Sequence, residues 1–382
     1  MSLFQRPALG IYIHLPYCIH HCIYCDFNVY ELKQKTQLSR YVEYLLKEIE
    51  YFGNLYGKRT IDTLYFGGGT PSVFSPQHFS EILQALQKKF IFSNDLSITV
   101  EANPSSAIFS KLRALYELGI RRISFGVQSF QDHHLKTLER IHNAAQATQS
   151  YEAAQKAGFQ DINLDLIFAI PNQSLLDFKK DVDFMVKLNP THVSTYHLTV
   201  DKSHRFYPFI VEDKLATQMY RLAMEQFKKA GYEHYEVSAF SKPGFQSKHN
   251  LKYWEFTEYL GLGAGAYSYM IDDQNPWGVH FSNLRDLKAY ETALDQKGHA
   301  ICETEVLTQQ KAQKDHILTG LRLLSGLDLE KYEKKFGNSL VISYRYALEH
   351  LQAKGMVDIE GRMLKLKPQG LLYLNQVLLE FM

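Results

Sequence analysis

The sequence predicts an α/β protein with a mainly parallel sheet, followed by a smaller helical C-terminal domain. Over the first two thirds of the chain, six runs rich in β-branched and aromatic residues alternate with amphipathic helical stretches, the pattern of βα units. Each of the first five runs leads directly into a polar or glycine-rich segment, as expected where functional residues stand at the carboxyl ends of parallel strands. Six units are fewer than the eight of a closed barrel, so an open, partial barrel or a doubly wound sheet fits the order.

The individual elements are predicted from periodicity and from flanking residues. Apolar residues recur at i, i+3, i+4 and i+7 between Leu38 and Phe52, which places one apolar stripe against the sheet. Gly119, Gly158 and Gly231 each follow a helical pattern, where a left-handed C-cap is expected. The predicted strands cover residues 11–15, 63–66, 97–101, 122–127, 163–168 and 192–198. The later helices cover residues 76–90, 108–118, 144–157, 175–187 and 213–230.

Changes of pattern divide the chain into three predicted segments: a partial barrel at residues 1–240, a bridging segment at 241–300 and a C-terminal domain at 301–382. In the last segment, three helical patterns precede a hairpin with a Glu360-Gly361 turn, and a closing helix follows. This order predicts a winged-helix-like module. Such modules often bind DNA, but basic residues are not concentrated on one helix, which favours a packing or lid role.

The composition is that of an ordinary globular chain, with 45% hydrophobic and 22% charged residues and a net charge of +1. This near balance gives no electrostatic reason to expect a nucleic-acid partner. The first ten residues are too short and too polar for a secretory signal. The longest weakly polar run, residues 259–270, falls short of the roughly 20 apolar residues that span a bilayer. We expect a cytoplasmic protein without a transmembrane anchor, for which peripheral membrane contact stays open.

Three of the four cysteines lie within eight residues of one another, directly after the first predicted strand. Cys18, Cys22 and Cys25 have the spacing Cys-x3-Cys-x2-Cys, in the segment CIHHCIYC. A secreted disulfide framework would spread an even number of cysteines along a shorter chain, so this group indicates a metal or redox site. Three thiolates can hold three corners of a [4Fe-4S] cluster, which leaves the fourth iron open to a substrate or cofactor.

Zinc is the competing metal, because His14, His20 or His21 could complete a tetrahedral structural site. A set of buried structural thiols is less favoured, since the loop is rich in polar histidine and aspartate. Cys302 has no ligand-like neighbours in the sequence and is interpreted as an isolated thiol.

Further motifs occur in order along the whole chain: YIHLPYC, YFGGGTPS, EANP, ISFGVQSF, NLDLIFAIP and HNLKYW. With the cysteine spacing, they resemble the radical S-adenosylmethionine superfamily, in its oxygen-independent coproporphyrinogen III oxidase-like branch and the heme chaperone subgroup of that branch. The resemblance implies a partial (β/α)6 barrel of radical S-adenosylmethionine type. It also implies a [4Fe-4S] cluster on Cys18, Cys22 and Cys25, a reductant for it, and reductive cleavage of S-adenosylmethionine to a 5′-deoxyadenosyl radical.

The resemblance also implies which residues contact S-adenosylmethionine. The glycines that end the second strand let backbone groups approach the methionine moiety closely, although a tight strand-to-helix turn explains them as well. Asp165 lies inside an otherwise apolar strand, where a carboxylate needs a partner; an ion pair with Arg122 or Arg140 is the alternative role. The implied contacts are Tyr12, Tyr24, Gly68, Gly69, Thr70, Glu101, Gln128, Arg140 and Asp165. No catalytic general base is visible.

Two functions fit this branch: a heme chaperone that delivers heme to acceptor proteins, and a coproporphyrinogen III oxidase of porphyrin biosynthesis. The oxidases carry a fourth cysteine two residues after the third, and this chain has Phe27 there, which favours the chaperone. HNLKYW matches a heme-associated motif of that subgroup, so His249 is the predicted heme ligand, on a loop beside Tyr253 and Trp254. The subgroup usually has a histidine at the position of Tyr267, a departure that predicts weaker ligation or ligation by tyrosinate.

Overall fold

A twelve-stranded sheet forms the larger part of the structure. The computed structural model describes residues 7–382. The strands are, in chain order, β1 Leu9–Leu15, β2 Tyr17–Cys18, β3 Tyr30–Glu31, β4 Thr60–Gly68, β5 Ile91–Ala102, β6 Arg122–Gln128, β7 Asp161–Phe168, β8 His192–His197, β9 Glu233–Glu236, β10 Ala239–Ser241, β11 Tyr259–Leu262, β12 Tyr267–Met270, β13 Val279–Asn283, β14 Ile301–Val306, β15 Leu327–Asp328, β16 Val357–Glu360 and β17 Met363–Leu366.

Six neighbouring strands of this sheet run parallel, in the order β1-β4-β5-β6-β7-β8. Each predicted strand falls on one of them, and the predicted partial barrel is confirmed. Because all six strands point the same way, their carboxyl ends meet at one edge of the barrel. The first five of these carboxyl ends lead into the polar or glycine-rich segments described from the sequence.

The helices connect and cover the strands. The structure has them at α1 Thr36–Tyr56, α2 Pro76–Lys89, α3 Phe109–Glu117, α4 Asp132–Thr137, α5 Ala144–Ala157, α6 Leu175–Leu188, α7 Asp213–Lys229, α8 Lys248–Trp254, α9 Leu287–Lys297, α10 Gln309–Gly320, α11 Leu329–Phe336, α12 Leu340–Ser343, α13 Arg345–Ala353, α14 Pro368–Leu372 and α15 Leu374–Leu379. Helix α1 buries the predicted stripe from Leu38 to Phe52 in the main hydrophobic core. Gly158 ends α5 with a φ of 110°, as the C-cap prediction requires.

Both sides of the parallel strands are extended. Beyond β8 lie the antiparallel strands β10 and β9, and on the other side β11 pairs parallel with β1, followed by antiparallel β12, β13 and β14. The sheet therefore continues through residue 306, across most of the segment expected to bridge two domains. Where the domains divide stays a prediction.

The C-terminal region has a separate small sheet, in the order β15-β17-β16, and its own hydrophobic core. The predicted hairpin is present as β16 and β17. This region joins the main sheet at β9, where Val237 N–H donates to the Arg322 carbonyl at 3.1 Å and Leu324 N–H donates to the Tyr235 carbonyl at 3.0 Å. The chain from 322 to 324 thus lies along the outer side of β9.

The segment HNLKYW lies on helix α8, whereas the sequence predicted a loop there. Ser247 caps this helix by accepting a hydrogen bond from Asn250 N–H. Lys252, one turn further on, reaches the Ala8 carbonyl at 2.8 Å and the Asp62 carboxylate at 2.8 Å. These contacts hold α8 against the amino ends of β1 and β4, which is why the helix is ordered although it is short.

None of the helices in residues 7–382 is both long enough and apolar enough to cross a lipid bilayer.

A buried ion pair fixes the beginning of β11 beside β1 and β4. Arg59 and Glu258 form two hydrogen bonds of 2.8 Å, and their side chains are 10% and 5% exposed. Replacing Arg59 by Ala leaves the Glu258 carboxylate buried without its cation. We expect Arg59→Ala to lower the free energy of unfolding by about 3–5 kcal/mol, measured by urea titration.

The control for this prediction is Lys179→Ala, which removes an exposed ion pair with Asp183 and should change the free energy of unfolding by less than about 1 kcal/mol. An equal, small loss of unfolding free energy in both variants would show that the buried Glu258 carboxylate does not need the Arg59 cation.

Candidate functional site

A cavity of about 370 Å³, called here the first cavity, opens at the carboxyl ends of the parallel strands. The cysteine loop forms one side of it, and the ends of β4, β5, β6, β7 and β8 form the rest. The sequence-predicted residues that line it are Cys18, Cys22, Cys25, Tyr24, Gly68, Gly69, Thr70, Glu101, Gln128, Arg140 and Asp165. The carboxyl edge of the barrel thus brings together residues from six separate segments of the chain.

The three cysteines of the loop line this cavity, and their sulfur atoms are not gathered as closely as the ligands of a single metal ion. The sulfur atoms of Cys18, Cys22 and Cys25 do not all lie within 4.8 Å of one another. Thiolates on one tetrahedral zinc ion would be only about 3.8 Å apart. Among the nearby imidazoles, Nε2 of His14 donates to the Asn28 carbonyl and Nε2 of His21 donates to the Cys25 carbonyl. The His20 ring lies within 4.0 Å of the carboxylates of Glu31 and Glu139. The geometry therefore speaks against zinc.

Two side chains donate hydrogen bonds to the cysteine sulfurs. The Thr70 hydroxyl lies 3.3 Å from Sγ of Cys18, and Nη1 of Arg140 lies 3.4 Å from Sγ of Cys22. Burial raises the pKa of the Cys18 thiol to about 11, so its ionisation requires a compensating positive charge, such as that of bound iron. Donors to sulfur and a need for positive charge are the surroundings that an iron-sulfur cluster requires.

The glycine turn after β4 lies against the cysteine loop. Gly68 has a φ of 109°, and a Cβ atom there would come within 2.6 Å of the His14 ring. A Cβ atom on Gly69 would come within 2.7 Å of the Pro16 carbonyl carbon. The N–H groups of Gly68, Gly69 and Thr70 all donate to acceptors within the protein. The turn can therefore offer carbonyl oxygens, which are acceptors for an amino group, and no free N–H.

Glu101 is held at the bottom of the first cavity. Its carboxylate accepts hydrogen bonds from the Tyr65 hydroxyl at 2.8 Å and from Gly68 N–H at 3.2 Å. Burial raises the pKa of Glu101 to about 7, against the opposing effect of the Tyr65 hydrogen bond. This carboxylate therefore changes its charge near neutral pH.

Asp165 also faces the first cavity and does not form the ion pair considered as an alternative. Asn163 donates a hydrogen bond of 2.8 Å to its carboxylate, while Arg122 pairs with Asp161. Arg140 is directed to the Gly126 carbonyl at 2.6 Å and to the cysteine loop. Burial raises the pKa of Asp165 to about 6. A carboxylate in this position is available to a cationic ligand.

Two predicted site residues do not line the first cavity. Tyr12 lies inside the barrel, where its hydroxyl is 3.1 Å from Nδ1 of His14. His249 is 2% exposed and lies near the amino ends of the strands. Its two ring nitrogens are 2.9 Å from the Thr63 hydroxyl and 2.9 Å from the Tyr253 hydroxyl. In this conformation neither nitrogen of His249 is available to a metal.

Sequence reasoning missed several residues of the first cavity. Ser124 and Gly126 stand before the predicted Gln128 on β6, and Tyr196 and His197 end β8. The signal for the last two was present, because the rule that selected the ends of the other strands applies equally to the sixth strand.

A six-stranded partial barrel with a three-cysteine loop at its carboxyl edge defines a radical S-adenosylmethionine protein. The model of the radical SAM superfamily matches residues 12–185, and the model of the HemN C-terminal domain matches residues 307–373. Membership of the superfamily implies a [4Fe-4S] cluster and S-adenosylmethionine. Within it, the chain belongs to the family of the heme chaperone HemW.

The similarity to individual proteins extends over nearly the whole chain. The heme chaperone HemW of Bacillus subtilis is 33% identical, with 96% of this chain and 97% of that protein covered. The heme chaperone HemW of Lactococcus lactis is 34% identical, with 100% and 98% covered. The structure of coproporphyrinogen III oxidase (HemN) from Escherichia coli superposes with a TM-score of 0.86 and 22% identity, covering 100% of this chain and 91% of that chain. At that identity the last likeness concerns the fold alone.

The cysteine loop makes a direct test of the cluster possible. We expect Cys22→Ser to lose the cluster, seen as a fall in iron and acid-labile sulfide after anaerobic purification. Cys302→Ser is the matched control, because Cys302 is an exposed cysteine on β14 outside the first cavity. Full iron and sulfide content in the Cys22 variant would contradict the assignment.

We predict that Glu101 makes the binding of a cationic ligand in the first cavity sensitive to pH. Below its pKa of about 7 the carboxyl is protonated and neutral, and above it the carboxylate would attract the sulfonium of S-adenosylmethionine. We expect the affinity of the cluster-loaded protein for S-adenosylmethionine, measured by calorimetry, to fall as the pH is lowered from 8 to 6. Glu101→Gln should flatten this dependence, whereas Glu117→Gln, at an exposed carboxylate, should keep it. An unchanged slope in the Glu101 variant would contradict the role.

Proposed function

We propose that this protein is a cytoplasmic heme chaperone, which binds a [4Fe-4S] cluster, S-adenosylmethionine and heme and delivers the heme to acceptor proteins. The observation that carries the proposal is the identity of 31–36% to several heme chaperones, which for the Bacillus and Lactococcus proteins spans nearly the full length of both chains. The partners are heme, the acceptor proteins and a reductant for the cluster. No nucleic-acid partner is proposed.

Cys18, Cys22 and Cys25 would hold the cluster, and the remaining iron would face the first cavity. Cluster and S-adenosylmethionine together supply one-electron chemistry. Thr70 and Arg140 act on the loop itself, because hydrogen bonds to ligand sulfurs orient them and stabilise their negative charge. Cys18 and Cys22 are buried and Cys25 is partly buried, although the loop around them is largely exposed.

The rest of the first cavity offers a complementary group for each end of S-adenosylmethionine. The carbonyl oxygens of the turn at Gly68 and Gly69 suit the amino group, and Arg140 suits the carboxylate. Glu101 and Asp165 present acceptors for hydroxyl groups and negative charge for the sulfonium. Gln128, with a φ of 71°, is held in a left-handed conformation that turns its amide toward the same cavity.

Phe27 supports the chaperone over the oxidase. It occupies the position of the fourth cysteine of the oxidase branch, lines the first cavity and is 68% exposed. An exposed phenylalanine offers apolar contact area and cannot serve as a thiol ligand or as a redox group. The oxidase remains the second candidate, because the sequence motifs resemble the oxidase-like branch of the superfamily and the model of the HemN C-terminal domain matches residues 307–373.

Heme ligation by His249 stays a prediction, and it carries a structural condition. Iron could reach this imidazole only after one of its two hydrogen bonds, to Thr63 or to Tyr253, breaks. Because the ring is 2% exposed and lies on α8, access for heme also requires α8 to move. The contacts of Lys252 with Asp62 and with the Ala8 carbonyl oppose that movement. Heme ligation at His249 would therefore be coupled to opening of α8.

The chaperone and the oxidase are distinguished by one pair of measurements on the protein loaded with its cluster under anaerobic conditions. We expect saturable binding of hemin, followed by transfer to an apo-hemoprotein, in absorption titrations. With S-adenosylmethionine, a reductant and coproporphyrinogen III, we expect no vinyl product by chromatography. Multiple turnovers to vinyl products would establish the oxidase, and the absence of hemin binding would refute the chaperone.

A further inference from the structure

Two histidines of α4 and one aspartate of α6 are gathered at one point of the surface. One ring nitrogen of His133, one of His134 and a carboxylate oxygen of Asp177 all lie within 4.8 Å of one another. The aspartate belongs to a different helix, so the fold and not the local sequence brings the three side chains together. None of the three lines the first cavity.

The two imidazoles are turned towards each other. Successive residues of a helix normally point in different directions and do not face each other. Here the ring centroids of His133 and His134 are 4.0 Å apart, and the ring planes are tilted by 45°. Two ligands of one metal ion must approach each other as closely as this.

The inner histidine of this pair is buried with an unsatisfied nitrogen. His134 is 2% exposed, and within residues 7–382 its Nε2 has no hydrogen-bond partner. The carboxylate of Asp177 lies 3.9 Å from this Nε2, which is too far for a hydrogen bond. A buried polar atom without a partner costs free energy unless a ligand or an ion satisfies it. A metal ion bound by Nε2 and the carboxylate would satisfy both groups.

Hydrogen bonds hold the Asp177 carboxylate beside the two imidazoles. The Ser174 hydroxyl donates to its Oδ2 at 2.6 Å, as part of the cap that begins α6. Gln131, the residue before α4, donates from its side-chain amide to the Asp177 carbonyl at 2.8 Å. These contacts orient the carboxylate and join the two helices, so the ligand set is in place before a metal binds.

Ions can reach this point from solvent. His133 is exposed and lines a surface cavity of about 620 Å³. One cation already competes there, because Nζ of Lys180 lies 3.1 Å from Oδ1 of Asp177, and the lysine side chain is 57% exposed. An ion pair at the surface contributes little to stability, so a divalent ion can displace this ammonium group.

We propose that His133, His134 and Asp177 form a binding site for a divalent first-row metal ion such as Zn²⁺, with water completing the coordination. Imidazole and carboxylate are ligands that Zn²⁺ takes in proteins, and three protein ligands leave one position for water. The site is separate from the three cysteines, and it does not depend on the proposed function.

The metal would join α4 to α6 beside the cysteine loop. Leu138, directly after α4, belongs to a small hydrophobic cluster against which Ile23 and Tyr24 of that loop pack. Arg140 follows in the same segment and donates to Sγ of Cys22 at 3.4 Å. A metal on α4 therefore stabilises the segment that supports the cysteines, and it should raise the temperature of unfolding.

The test is an anaerobic titration of the cluster-loaded full-length protein with zinc chloride, followed by calorimetry and by metal analysis. We expect one zinc ion per chain without loss of iron or sulfide, and a higher temperature of unfolding. His133→Ala changes an exposed residue and should weaken zinc binding about tenfold or more, because even groups that only orient a ligand contribute about 10–100-fold. Asp177→Asn should weaken zinc binding in the same way.

Two further variants separate the outcomes. Lys180→Ala should strengthen zinc binding about two- to fivefold, because it removes a cation that competes for the Asp177 carboxylate. His350→Ala removes an exposed histidine of the C-terminal region and should titrate like wild type. Zinc that binds wild type and His133→Ala equally well, or that binds only with loss of iron, is held elsewhere, and either result overturns the proposal. Absence of zinc binding to wild type also overturns it and leaves the proposed function untouched.

Discussion

The close approach of two backbone segments governs the site. The cysteine loop after β1 and the glycine turn after β4 touch so closely that a methyl group at Gly68 or Gly69 would overlap the His14 ring or the Pro16 backbone. Thr70 N–H donates to the Tyr17 carbonyl at this contact, and the Thr70 hydroxyl reaches the neighbouring sulfur of Cys18. Glycine is required at both positions because a Cβ atom would overlap the cysteine loop. At Gly68 the positive φ is a second reason. The positions of the cysteines relative to the barrel follow from it.

The two buried carboxylates of the first cavity, Glu101 and Asp165, lie at the same carboxyl edge of the barrel. Glu101 and Asp165 lie in adjoining parts of one wall, and each is held by a neutral hydrogen-bond donor rather than by a cation. Burying a carboxylate in this way costs free energy in the empty protein, and a positively charged ligand recovers part of it. The polar groups are thus arranged for a ligand more than for the stability of the protein alone.

The barrel and most of the first cavity could be predicted, because parallel strands with helical connections have a strong periodic pattern and their ends identify the site. Helix α8 was predicted as a loop, since its seven residues contain too few turns to show a period and its order comes from Lys252 contacts with distant strands. The pairing of β11 with β1 joins residues about 250 apart, a contact that local pattern does not encode.

An open barrel has two free edges, and each edge exposes backbone groups that could recruit a strand from another molecule. Here the two edges are treated differently. The chain from 322 to 324 covers β9 through backbone hydrogen bonds, while β14 is exposed and carries Glu303 and Glu305. Acidic side chains on an edge strand disfavour its pairing with a second copy, since like charges would then face each other. By covering β9, the C-terminal region therefore also disfavours edge-to-edge aggregation of the sheet, independently of any role in binding.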